Sequence, residues 1–170
     1  MTWTLTEYGY EVDGEIGDDE HDAASLAAAR AECGWHVFPP VKCRYRADSS
    51  DTSRIVQLPC THVSSVESVE VGGIAVAFDW KPGGLVRVID RVKGDRWGDI
   101  VITYVAGIEN PRAFLSVVEH NAASKRPGVQ SESAGGVSVT YSADSAASAK
   151  GMLSDREAAA LWPYKRVGCA

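Results

Sequence analysis

Residues 32–41 read ECGWHVFPPV, which places a thiol, an indole and an imidazole within four positions at Cys33, Trp35 and His36. Cys43, Cys60 and His62 follow downstream, so five residues of zinc-ligand type lie in one third of the chain. Thiolate and imidazole are the ligands that zinc prefers, but structural sites present tightly spaced cysteine pairs on a knuckle. None of the four cysteines, Cys33, Cys43, Cys60 and Cys169, has a partner at CxxC spacing, which also argues against a disulfide framework. Cys33 and His36 could instead pair as nucleophile and base. A helix C-terminus raises the energy of a thiolate, however, and activated thiols favour N-termini. The plainer assignment makes Cys33 a small apolar residue on a last helical turn and Gly34 the left-handed residue after it. Trp35 then plugs the core, and His36 opens a segment that Pro39-Pro40 keeps extended.

No other motif supplies chemistry. There is no G-x-S-x-G elbow and no phosphate loop; Gly83-Gly84 and Gly135-Gly136 alone do not make one. Asp18-Asp19 lies in a solvated acidic run, and Trp80 and Trp97 close strands or turns. Lys125-Arg126 and Lys165-Arg166 are too small for a nucleic-acid footprint. The expectation is a protein with no catalytic residue, no metal and no cofactor. A Cys/His metal-binding protein stands as the alternative.

The elements that would carry these residues fall into three groups. In GDDEHDAASLAAARAECG, acids precede an Ala-rich stretch, predicting a helix near 19–33 with Ala23, Leu26, Ala29 and Cys33 on one face. A short helix near Thr2–Tyr8 is a further expectation. After Gly34 the period becomes two. VKCRYR (41–46), SRIVQL (53–58), VSSVESVEV (63–71), IAVAFDW (74–80), LVRVI (85–89) and DIVITYV (99–105) read as strands. Asp48–Asp51, Gly72-Gly73 and Lys81-Pro82-Gly83-Gly84 are the turns between them, Gly-Gly serving a hairpin that needs positive φ twice. Gly107 ends this region, and Asn110-Pro111 opens a helix over 111–123 that buries Phe114, Leu115, Val118 and Ala122. Residues 124–152 are rich in Ser, Ala and Gly, with one β-like patch at Val137–Tyr141. Ser154-Asp155-Arg156-Glu157 is a capping box behind the apolar Leu153, so a helix over 155–162 follows and meets Pro163.

The fold class is therefore α+β. The expected form is a small helical bundle (19–33, 111–123, 155–162) with an inserted antiparallel β-meander (about 41–106). The 170 residues form one domain, with an acidic N-terminal arm (1–17), a long flexible arm (124–152) and a C-terminal tail (163–170). Apolar runs are far short of the roughly 20 residues that cross a bilayer. The opening MTWTLTEYGYEVDGE lacks the basic start and apolar stretch of a signal peptide, so the chain is expected to stay where it is made. Nine acids against Arg30 alone give residues 1–34 a charge of −8; with −6 overall, the remaining 136 carry +2. That asymmetry argues against DNA binding through the front end.

The order of these segments resembles a known family. An Ala-rich helix runs into CGWH-x-x-P at Cys33–Pro39, and a strand ends in Leu58-Pro59. Then come V-x-S-V-x-V-x-G at Val66–Gly73 and Trp80 before the turn at Gly84, and a strand closes in Thr103-Tyr104-Val105-Ala106-Gly107. G-V-x-S-E-S-x-G-x-x-S-V-T-Y spans Gly128–Tyr141, and E-x-x-x-L-x-x-Y closes the chain at Glu157–Tyr164. Over about residues 20–166 the chain resembles the head-to-tail adaptor (connector, head-completion) proteins of tailed bacteriophages, those of actinobacteriophages in particular. Pro163 departs from the family's continuous closing helix.

The resemblance implies a virion protein made in the host cytoplasm and built into the neck. Copies would form a ring, usually twelvefold, beneath the portal protein, extending the DNA channel and docking the next neck protein (a stopper) or the tail. Another neck ring, stopper or tail terminator, is the alternative within the same class. Genomic DNA would pass without sequence-specific binding, no membrane is involved, and acids of the N-terminal third would line the lumen. Trp162, Tyr164, Lys165 and Arg166 are the expected portal contact; equally, Trp162 and Tyr164 could pack on the subunit's own helices. Val137, Val139 and Tyr141 are the expected inter-subunit arm, able to add a strand to a neighbour.

Overall fold

The computed structural model describes residues 3–13, 22–48, 54–90, 98–124, 131–134, 137–140 and 153–166. The chain divides into two compact units. Met1–Gly17, Gly34–Asn110 and Arg166–Ala170 form one, and Asp18–Cys33 with Pro111–Lys165 form the other. The class is α+β, with antiparallel strand pairing throughout.

The first unit is built of two sheets. β1 (Trp3–Leu5) and β2 (Glu11–Asp13) form a hairpin, and β3 (Val41–Ala47) follows. β4 (Ile55–Gln57) precedes the long β5 (Val63–Val71), then come β6 (Ile74–Ala75), β7 (Phe78–Lys81), β8 (Leu85–Val88) and β9 (Ile100–Ala106). One sheet has the order β1-β2-β3-β9-β5-β6 and the other β4-β8-β7. β9 is the spine of the larger sheet because its β-branched alternation buries Ile100, Ile102, Tyr104 and Ala106 on one face.

This order corrects the expected meander. β3 pairs along its whole length with β9 rather than with the next strand. β2 occupies its other edge, so β4 has no free edge of β3 to join and pairs with β8 instead. The run 74–80 is two strands, β6 and β7, that belong to different sheets, with Val76-Ala77 crossing between them. The expected short helix near Thr2–Tyr8 is also corrected: β1 and β2 pair Trp3 with Asp13 and Leu5 with Glu11. Arg44 on β3 explains the preference. It forms an ion pair with Glu11 and stacks its guanidinium 4.4 Å from the centre of the Trp3 ring, holding both strands of the hairpin to the sheet.

Two predicted turns hold. Gly72 (φ +59°) and Gly73 (φ +79°) join β5 to β6, and the turn ending at Gly84 (φ +83°) joins β7 to β8. Gly107 has φ +126°, and a Cβ there would lie 2.6 Å from the Pro40 Cα, so only glycine fits.

The second unit contains α1 (Ala23–Cys33), α2 (Arg112–Ser124), the hairpin β10 (Ser131–Ala134) and β11 (Val137–Thr140), and α3 (Asp155–Ala160). Asp22 starts α1: its carboxylate accepts from Ser25 N–H at 2.8 Å and its carbonyl from Leu26 N–H at 2.9 Å. The α2 ladder begins at Pro111, whose carbonyl accepts from Leu115 N–H. Phe114, Val117 and Val118 form its buried stripe, while Leu115 and Ala122 are half-buried. α3 is shorter than expected, because Leu161 caps it and Trp162–Tyr164 forms a separate 3-10 turn around Pro163. Residues 19–21, 49–51 and 167–170, and most of the arm 124–152, lie outside the described residues.

Candidate functional site

The cysteine–histidine corner is packed interior. Trp35, His36 and Val37 are all buried. The His36 N–H donates to the Tyr10 hydroxyl at 2.9 Å, and its Nε2 lies 2.5 Å from the Pro39 carbonyl oxygen. Ile108 N–H donates to the Val37 carbonyl at 2.8 Å, stitching the segment to the chain just after β9. Cys43 and Cys60 are fully buried near the phenols of Tyr10 and Tyr104. Burial pushes each of these two thiols up to about 12. Cys33, in the last turn of α1, is also pushed up to about 12, by burial first and by the Glu32 carboxylate second. All three are therefore neutral thiols near neutrality and poor nucleophiles. Burial likewise lifts the phenols of Tyr10 and Tyr104 far above their ordinary range. The Tyr104 hydroxyl is enclosed without a hydrogen bond of normal geometry. Among the described residues no group of three His, Cys, Asp or Glu side chains is placed to hold a metal ion. Nor is any described helix long and apolar enough to cross a membrane.

The closing segment has a different character. Ser154 and Glu157 form the predicted capping box. Ser154 N–H donates to Glu157 Oε2 at 2.8 Å, and Glu157 N–H donates to Ser154 Oγ at 3.4 Å. Ser154 Oγ–H donates a further bond to Oε2 at 2.8 Å, and His120 Nδ1 lies 2.9 Å from Oε1. Burial raises the Glu157 carboxyl pKa, but the bonds from His120 and Ser154 outweigh it and leave it below the usual carboxylate range. Leu161 is fully buried, and Tyr164 sets its ring edge-on to Phe114, centroids 6.1 Å apart. Each fixed residue of E-x-x-x-L-x-x-Y thus has a packing duty: Glu157 caps, Leu161 fills, and Tyr164 leans on α2.

Trp162 is the exception. It is 72% exposed on the 3-10 turn. Lys165 sits 5.9 Å from its ring centre and pairs with Glu32 of α1, so the cation is tethered beside the indole. Of the four expected contact residues, Trp162 faces outward, Tyr164 packs inward, Lys165 is half-buried in its ion pair, and Arg166 is exposed at the start of the other unit's last segment. Val137 and Val139 lie on β11, already paired with β10 in the register Val137–Ala134 and Val139–Glu132. The patch expected to seek a neighbour thus has a partner strand in its own chain. Tyr141 lies outside the described residues.

The sequence reading missed the polar bond inside the helical unit. Ser25 Oγ donates to Asn121 Oδ1 at 2.8 Å, both residues being fully buried. The available signal was Asn121 itself, an amide placed three and four residues after Val118 and Val117 on an apolar stripe.

Compared with known protein families and with curated proteins, the chain matches no family profile and no curated sequence.

Proposed function

We propose that the chain is a structural subunit of a tailed-bacteriophage neck, a head-to-tail adaptor. Copies assemble into a ring beneath the portal, usually twelve, extend the DNA channel and carry the next neck protein or the tail. The residues of the resemblance support this reading through what they do in the chain. Trp35 and Tyr104 fill the core, Gly73 and Gly107 shape turns, and Glu157, Leu161 and Tyr164 fix the closing segment. The finer architecture belongs to the same proposal: three helices acting as one bundle, with the strands of residues 34–110 inserted between the first and second.

The observation that carries the reading is Trp162. An indole 72% exposed beside a tethered lysine, on a turn that Leu161 and Tyr164 hold in place, is the composition of an interface anchor. Under this proposal it seats against the portal. The acidic first third of the chain suits a channel that must release DNA rather than hold its phosphates. Co-expression with the portal tests the contact. Trp162→Ala is expected to lower portal capture about tenfold or more, the loss of one hot-spot anchor, with melting unchanged. Undiminished capture by Trp162→Ala contradicts the assignment.

A further inference from the structure

The hairpin that joins β5 to β6 carries an apolar tip. Gly72, Gly73, Ile74 and Ala75 are exposed in succession, Ile74 at 63%. The backbone on either side is fixed: Gly72 N–H donates to the Asp99 carbonyl and Val76 N–H to the Val69 carbonyl, each at 3.0 Å. A tip ordered in advance loses little conformational freedom when something covers it. A second apolar surface lies on the three-stranded sheet, whose central strand is β8. Val86 and Val88 are buried on one face, yet Leu85 and Ile89 on the other are 39% and 50% exposed, with Arg87 between them. Ile89 N–H donates to the Ala77 carbonyl at 2.8 Å, so the ladder holds this row through Ile89. An antiparallel sheet ordinarily turns one face to a core and a polar face to water, whereas this one is apolar on both.

The charges of the two surfaces are opposite. Residues 63–77 contain Glu67 and Glu70 and no base. Glu70 stands opposite Ala75, and Asp99 Oδ1 lies 3.7 Å from where a Cβ on Gly72 would be. On the small sheet, Lys81 is exposed opposite Leu85, and Asp79 pairs with Arg87 at 3.0 Å. Among the described residues Glu70, Asp99 and Lys81 have no ion-pair partner. We infer that the β5–β6 tip of one copy seats on the outward face of the three-stranded sheet of a second copy. Ile74 then lies between Leu85 and Ile89, and Glu70 and Asp99 face Lys81 and Arg87. The inference rests on the ring reading above and names its contact. Because tip and face are different surfaces, each copy offers one and accepts the other, the head-to-tail arrangement from which rings are made.

Sedimentation velocity on the full chain over a concentration series tests this with two variants, Ile74→Asp on the tip and Ile89→Asp on the face. Both side chains are exposed, so melting should match wild type. Wild type is expected to self-associate, and each variant alone to associate about tenfold or more weakly. An equimolar mixture of the two is expected to form dimers and stop there, because one intact tip and one intact face remain. Glu70→Lys combined with Lys81→Glu in one chain should recover association that either substitution alone weakens. A mixture that stays monomeric overturns the inference, as does a wild-type chain monomeric at every concentration. Association unchanged in both single variants also overturns it but leaves the ring reading standing, since copies would then meet elsewhere. Failure of the ring reading itself is read separately, as wild type that forms no ring on the portal.

Discussion

Removing the Glu157 carboxylate should loosen the closing segment in a way that depends on pH. Glu157 is 6% exposed and accepts from Ser154 N–H, from Ser154 Oγ and, at its other oxygen, from the His120 ring. Glu157→Ala leaves the Ser154 N–H without its acceptor and opens half of the capping box. Cap substitutions and lost acceptors of this kind cost about 2 kcal/mol. For a chain of this size that lowers the melting temperature by about 4–8 °C. Glu157→Gln keeps an amide oxygen for the Ser154 N–H but loses the charge, so it should fall between wild type and Glu157→Ala at neutral pH. The folded carboxyl has a pKa below its ordinary 4.5. Its contribution is therefore fully present above pH 4.5 and is lost as pH falls through the folded value. The gap between wild type and Glu157→Gln should accordingly be present above pH 4.5 and close as the pH falls through the folded value. Thermal melts followed by circular dichroism from neutral to acid pH read this directly. Parallel melting of the two proteins across the whole range, or Glu157→Ala melting with wild type at neutral pH, would refute the reasoning.

Gly107→Ala should abolish soluble folded protein, because its Cβ meets Pro40 at 2.6 Å; Gly73→Ala, with nothing within 4 Å, should cost only about 1 kcal/mol in urea unfolding. Cys33, Cys43 and Cys60 should resist a thiol reagent at pH 8 until the chain is unfolded, when all four cysteines react; rapid labelling of Cys33 in the native chain would contradict the buried-thiol assignment. Ser25→Ala should cost about 1 kcal/mol in the same urea assay by removing the hydroxyl that donates to the buried Asn121 Oδ1, and an unfolding curve identical to wild type would contradict a stabilising role for that bond.

How much of this was legible in the sequence depends on whether a signal is local. The capping box at Ser154, the Gly72-Gly73 hairpin, the Gly84 turn and the start of α2 at Pro111 are each dictated by a few adjacent residues, and each stands as read. Strand order was not legible. Alternation in VKCRYR and DIVITYV says which residues face inward, but it carries no information on which edge a strand meets. So β3 pairing with β9, and the transfer of β4 to β8, came only with the structure. The hairpin β1–β2 escaped because three-residue strands give too little alternation to read, and its anchor is Arg44, thirty-three residues after Glu11. For the site, the sequence named Trp162 and Tyr164 together. Which of two nearby aromatics turns outward depends on whether a partner ring waits at the other position, and Phe114 supplies it to Tyr164.

The central claim, that these residues serve shape and assembly, is tested most directly by electron microscopy of phage necks containing this chain. The account predicts a closed ring of copies directly beneath the portal, usually twelvefold, with Trp162 buried against the portal. Particles with no copies of this chain at the neck, or copies bound singly with Trp162 facing solvent, would contradict it.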